Sequence, residues 1–146
     1  MSRVDIRLLC PSDATVLDRL APEVFDHDVQ PDWCEDFLAD PRHHLVVALA
    51  DDIVVGMASA VDYIHPDKAP QLFINEVGVS PAYRRQGIGR RLMERLVELA
   101  TELGCTEAWV LTDAENAAAN RLYAAAGAEV PPAQSLMYTI PIRRNH

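Results

Sequence analysis

A strand-like run, QLFINEVGV from Gln71 to Val79, leads through Ser80-Pro81 into Arg84-Arg85-Gln86-Gly87-Ile88-Gly89, where a long amphipathic helix begins. No other part of the chain restricts the fold as much. A strand that feeds a glycine-containing loop at the head of a helix is built to hold an anion such as a phosphate. The first backbone N–H groups of a helix have no internal partners, and the helix dipole favours negative charge there. Glycine, lacking Cβ, lets the backbone approach closely. Arg84 and Arg85 beside the loop add charge-assisted donors.

The spacing excludes two common nucleotide loops. Neither GxGxxG nor GxxxxGK[ST] occurs, so the dinucleotide and P-loop fingerprints fail. A second cluster, NAAANRLY (Asn116 to Tyr123) followed by Gly127, lies about thirty residues further on.

Composition bounds the rest. A chain of 146 residues is expected to form one domain, residues 1–146, with a core that needs no staples. There is no apolar run of eighteen residues and no signal-peptide pattern at the start, so neither a membrane segment nor a leader is expected. Cys10, Cys34 and Cys105 are scattered and odd in number, which suits reduced thiols in a cytoplasm. His43 and His44 have no Asp, Glu or Cys at ligand spacing, so no metal is expected.

The net charge of −9 argues against nucleic acid, whose phosphates require a basic face. It suits a cationic substrate, and it serves solubility equally well. Residues 23–40 hold seven acids and no Lys or Arg. Within them Asp26, Asp28, Asp32, Glu35 and Asp36 read either as a wall facing a cationic substrate or as a solvated helix face.

Along the chain, Val4 to Leu9 alternates as a strand, and Pro11-Ser12-Asp13 opens a helix to about Leu20. A second helix is expected from about Asp32 to Ala39. Runs 44–50 and 53–61 flank Asp51-Asp52 as a hairpin. Tyr63 to Pro70 reads as loop, and Gln71 to Val79 as the central strand, with Gly78 marking a bulge or a close backbone approach by a ligand. The helix from Gly87 to Leu103 puts Ile88, Leu92, Leu96, Leu99 and Leu103 on one face. Glu107 to Thr112 is expected as a strand, Asn116 to Ala126 as a helix and Ser135 to Ile140 as a last strand.

The element order, the [RQ]xxGxG loop at Arg84 to Gly89, and the N-x-x-A-x-x-L-Y pattern of Asn116, Ala119, Leu122 and Tyr123 together resemble the GNAT superfamily of N-acetyltransferases. The resemblance covers nearly the whole chain. It implies an α/β fold with a mixed, mostly antiparallel sheet of six to seven strands and helices on both faces. It implies acetyl-coenzyme A as cofactor and a small cationic amine as acceptor, with no nucleic acid or membrane partner. A homodimer is compatible with it.

Residue by residue, the resemblance assigns Val77 and Val79 to the pantetheine arm. The loop residues Arg84, Arg85, Gly87, Ile88, Gly89 and Arg90 fall to the pyrophosphate. Tyr123 becomes the acid that protonates the departing thiolate. Glu76 is the candidate base and Asp113 the runner-up, the latter also suiting a helix N-terminus. Asn116 either contacts the cofactor or caps a helix. Asp113, Asp26 and Asp28 are placed on the substrate side. The Pro-containing loop before the central strand, Phe73, Glu76 and Asp113 look most like the type I aminoglycoside 3-N-acetyltransferases, although Glu76 stands where those have Asp and the C-terminal MYTIPI is uncharged. Acetylation of protein N-termini, lysines or polyamines is the alternative, and a non-catalytic acetyl-coenzyme A-binding domain is the alternative of another class.

Overall fold

The computed structural model describes residues 3–113, 115–130, 133 and 135–142. Five strands form one sheet in sequence order: β1 (Val4–Leu8), β2 (His43–Ala50), β3 (Ile53–Tyr63), β4 (Gln71–Val79) and β5 (Ala108–Val110). The first four are antiparallel neighbours and β5 runs parallel to β4. The helices are α1 (Pro31–Ala39), α2 (Ile88–Glu102) and α3 (Ala117–Ala125), with 3-10 segments at Pro11–Asp18 and Pro81–Tyr83. Among the described residues no helix is long and apolar enough to cross a membrane.

The hairpin at Asp51-Asp52 forms as expected, and both aspartates take positive φ (49° and 64°). That pairing matches the primed turns whose twist suits a hairpin, and Asp tolerates the left-handed region better than most residues. β2 is apolar on both faces because helices cover both. On one side Val46, Ala48, Val55, Ala58, Leu72 and Ile74 pack under Ile88, Leu92 and Leu96 of α2. On the other, Leu45, Val47, Val54 and Met57 meet Leu17, Val24 and Leu38 from the first 3-10 segment, the linker after it and α1.

Three expectations are corrected. Among the described residues the sheet has five strands rather than six to seven, because Ser135–Ile140 shows no strand pairing there and Leu136, Met137, Tyr138 and Ile140 are exposed. Alternating apolar residues give a local preference, but a strand exists only where a neighbouring edge accepts its hydrogen bonds. The strand expected over 107–112 contracts to Ala108–Val110. The helix expected after Pro11 is a 3-10 segment instead, with Asp13 at φ −98° and ψ 15°. There the Asp13 carboxylate accepts from the Cys10 backbone N–H at 2.8 Å and the Cys10 thiol at 3.0 Å, and pairs with Arg7 at 2.6 Å. These local bonds hold a tight turn in place of a regular helix.

Candidate active site

β4 and β5 pair over only three positions, Leu72 with Ala108, Phe73 with Trp109 and Ile74 with Val110. Beyond Ile74, β4 runs on to Val79 paired with β3 alone, so its other edge is open. The cause lies at Asn75. Ala60 pairs with Ile74 while Ser59 pairs with Glu76, leaving Asn75 as an extra residue. Such a bulge bends and twists a strand, here away from β5. The opening is a cleft of about 1000 Å3 between the open edge of β4, the head of α2 and α3.

The floor of the cleft is the loop read from the sequence. Arg85 takes φ 62°, a region other residues rarely use, and Gly87 takes φ 76° at the N-terminal boundary of α2. The Arg84 guanidinium Nε donates to the Val79 carbonyl at 3.2 Å and ties the loop back to β4. The backbone N–H groups of residues 85–90 find no backbone acceptor among the described residues. A run of free amides at a helix head beside arginines fits a diphosphate.

Gly89 has a second duty. A Cβ there would lie 3.3 Å from the Leu122 side chain of α3. Its absence lets α3 sit close on α2, and α3 carries Tyr123 to the cleft. The two sequence clusters are therefore joined by packing. Asn116 caps α3, its Oδ1 accepting from the Ala119 N–H at 3.0 Å, and it also lines the cleft. Tyr123 is half-buried, and burial pushes its phenol above the usual value, so it stays protonated well past neutral pH.

The structure gathers Glu76, Val77, Val79, Arg84, Arg85, Gly87, Ile88, Gly89, Arg90, Asn116, Tyr123 and Asp26 around this one cleft. Asp28 and Asp113 are not among its lining residues. The Asp113 carbonyl instead accepts from the Asn116 N–H at 3.0 Å and the Asn120 amide at 3.3 Å, at the head of α3. Glu23, Asn75, Tyr83 and Arg121 line the cleft without having been singled out. Glu23 belonged to the noted acidic stretch, and Asn75 adjoins the expected irregularity of β4. Nothing in the local pattern pointed to Arg121.

The bulge expected at Gly78 lies at Asn75 instead, and Gly78 itself pairs in register with Met57. A Cβ on it would come within 2.4 Å of the Val24 carbonyl. The close approach is made by this chain's own backbone, which brings Glu23 and Asp26 over the same cleft as Glu76.

The splayed central strands, the loop and the α3 tyrosine define a class, and the family model for the acetyltransferase (GNAT) family matches residues 13–128. The chain belongs to that family. Among its relatives is aminoglycoside N(6')-acetyltransferase type 1 of Salmonella typhimurium, 30% identical over 87 residues, 57% of this chain and 60% of that one. Another is the Escherichia coli [ribosomal protein bS18]-alanine N-acetyltransferase, 41% identical over 51 residues, 35% of this chain and 34% of that one. The match thus spans less than two thirds of the length of these relatives. Among solved structures, AAC(6')-Iy in complex with the bisubstrate analogue CoA-S-monomethyl-acetylneamine superposes with a TM-score of 0.74 at 25% identity, covering 97% of this chain and 100% of that one.

Proposed function

We propose that this protein transfers an acetyl group from acetyl-coenzyme A to a primary amine of an aminoglycoside, by direct attack within a ternary complex. The observation that carries this reading is the cleft itself. One end offers free amides and arginines for a diphosphate, its side is an unpaired strand edge, and its other end is lined by Glu23, Asp26 and Glu76. An extended arm added to an open strand edge gains backbone hydrogen bonds along its length. Carboxylates opposite it attract a polycation.

The amides of Arg85, Gly87, Ile88, Gly89 and Arg90 hold the pyrophosphate, with Arg84 and Arg85 adding charge. Val77 and Val79 align the pantetheine arm along β4. The bound thioester supplies the activated acetyl group. Asp26 orients the acceptor's ammonium groups, and Glu76 removes the proton that keeps the attacking amine unreactive at neutral pH, directly or through a water. The Val77 N–H polarises the acetyl carbonyl. Tyr123, kept protonated by burial, donates its phenolic proton to the departing thiolate.

The two aminoglycoside enzymes named above are 6′-N-acetyltransferases, so we assign acetylation to a 6′-type amine in place of the 3-N position expected from sequence. A second reading, acetylation of a protein N-terminal alanine, is favoured by the local likeness to the bS18-specific enzyme. Thiol release from acetyl-coenzyme A separates the two when measured with neamine, spermidine and an alanine-headed peptide. Turnover with neamine and silence with the peptide is the expected result. The reverse pattern would replace this reading with the second.

A further inference from the structure

On the sheet face away from α2, the first 3-10 segment and α1 pack on β2 and β3. Further along the same face, on β4 and β5, lies an aromatic group. Phe73 and its register partner Trp109 stack with ring centroids 4.4 Å apart and 29° between planes. Tyr63 of β3 meets Trp109 edge-on at 6.2 Å and 83°.

A chain of hydrogen bonds fixes the indole. Trp109 Nε1 donates to the Tyr63 hydroxyl at 2.6 Å, that hydroxyl donates to Gln71 Oε1 at 2.9 Å, and Gln71 Nε2 donates to Glu107 Oε1 at 2.9 Å. Trp109 nevertheless keeps 37% of its surface exposed. Burial does not explain such an arrangement, since a buried core ring is held by packing. A half-exposed ring tethered through its one polar atom is oriented for contact, and rigid aromatic side chains give contact area at low entropic cost.

Its position says what it would contact. Val61 pairs with Phe73 and Ser59 with Glu76, so the Asn75 bulge sets Glu76 next after Phe73 on this face. Glu76 is exposed and lines the cleft with Glu23 and Asp26. Phe73 and Trp109 are not among the cleft's lining residues, but along β4 they stand next to Glu76, which lines it with Glu23 and Asp26. A saccharide ring bearing amines matches both parts. Its flat face of polarised C–H groups lies against aromatic π-faces, and its ammonium groups meet the carboxylates. Acyclic amines and extended peptides satisfy the acids but present no flat ring.

We propose that Phe73 and Trp109 form a stacking platform that selects an aminated saccharide ring as acceptor. It rests on the acetyl-transfer reading above and assigns acceptor selectivity to these two side chains. In a Trp33→Phe background Trp109 is the sole tryptophan, and Trp33 is 74% exposed on α1, so its replacement disturbs little packing. With coenzyme A present, neamine should change Trp109 emission saturably, and spermidine should not. Trp109→Ala and Phe73→Ala should each raise KM for neamine roughly three- to ten-fold, and leave KM for acetyl-coenzyme A and spermidine unchanged. Trp109→Phe should restore most of the loss.

Unchanged emission at saturating neamine would overturn the platform, as would equal KM increases for neamine and spermidine. Either result leaves acetyl transfer standing if neamine is still acetylated. No turnover with any amine would overturn the acetyl-transfer reading and the platform with it. The emission titration needs only the Trp33→Phe protein, so misfolding of an alanine variant does not spare the proposal.

Discussion

Tyr123 and Glu76 come to one cleft from separate elements, one on α3 and one beside the bulge in β4. Tyr123→Phe keeps the ring and removes the proton, so kcat should fall about 10- to 100-fold with KM for acetyl-coenzyme A unchanged in steady-state kinetics. Glu76→Gln should lower kcat/KM by about 100-fold or more in steady-state kinetics. Tyr123 also has a stability signature. Its pKa in the folded chain is raised by burial, so its contribution is complete below the unfolded value near 10 and is lost as pH rises beyond it. Thermal melts of Tyr123→Phe should therefore fall less steeply than wild type above about pH 10. Sequence named Tyr123 from its strict motif spacing and Glu76 from its place on the expected central strand. Arg121 and Tyr83 were missed because they enter the cleft through folding alone. Asp113 was read as a site residue from its likeness to the aminoglycoside enzymes, with a helix N-terminus as its other reading, and its carbonyl bonds at the head of α3 fit the latter.

At the scale of elements, the head of α2 and the seating of α3 decide whether the cofactor end of the cleft exists. Gly87 stands at φ 76°, and an added Cβ would meet nothing within 4 Å. Gly87→Ala thus tests backbone conformation without a clash. It should cost about 1–2 kcal/mol in thermal unfolding, and calorimetry should show weaker binding of coenzyme A. Asn116→Ala removes the cap on α3 and should cost about 1 kcal/mol, with a fall in kcat as Tyr123 loses its fixed seat. These elements were legible because their signals are local: a glycine at a helix head, an Asn at a cap, apolar residues at helical spacing. The first 3-10 segment and the shortened β5 were not, since side-chain bonds from Arg7 and the splay at Asn75 reach across the chain. Ser135–Ile140 shows the same limit, for its alternation of apolar residues was legible and its lack of a pairing edge was not.

For the whole molecule, charge and the anchoring of the first segment set the response to solution conditions. With a net charge of −9 and acids lining the cleft, a polycationic acceptor of the proposed kind would be steered in by a field that salt screens. The kcat/KM for neamine should fall several-fold between about 0.01 and 0.3 M salt, while that for acetyl-coenzyme A should not fall in parallel. Asp13 is buried, and hydrogen bonds from the Cys10 thiol and backbone, then Arg7, hold its carboxyl below the usual carboxylate range. Its stabilisation is present above the unfolded pKa near 4 and is lost as pH falls through the lowered folded value. Asp13→Asn should lower Tm at neutral pH and flatten the acid side of the stability curve. The pairing of β2 with β3 was readable from the hairpin signal, and the mostly antiparallel sheet only through the family resemblance. The crossing of Val24 over Gly78, which places Glu23 and Asp26 beside Glu76, was not, because it depends on the packing of two segments distant in sequence.

The most direct test is to incubate the wild-type protein with acetyl-coenzyme A and neamine and to identify the product by mass spectrometry and NMR. Stoichiometric release of coenzyme A with a single acetyl group on the 6′ amine is the predicted result. Unmodified neamine, with the protein binding acetyl-coenzyme A normally, would contradict the assignment of this cleft to an aminated saccharide.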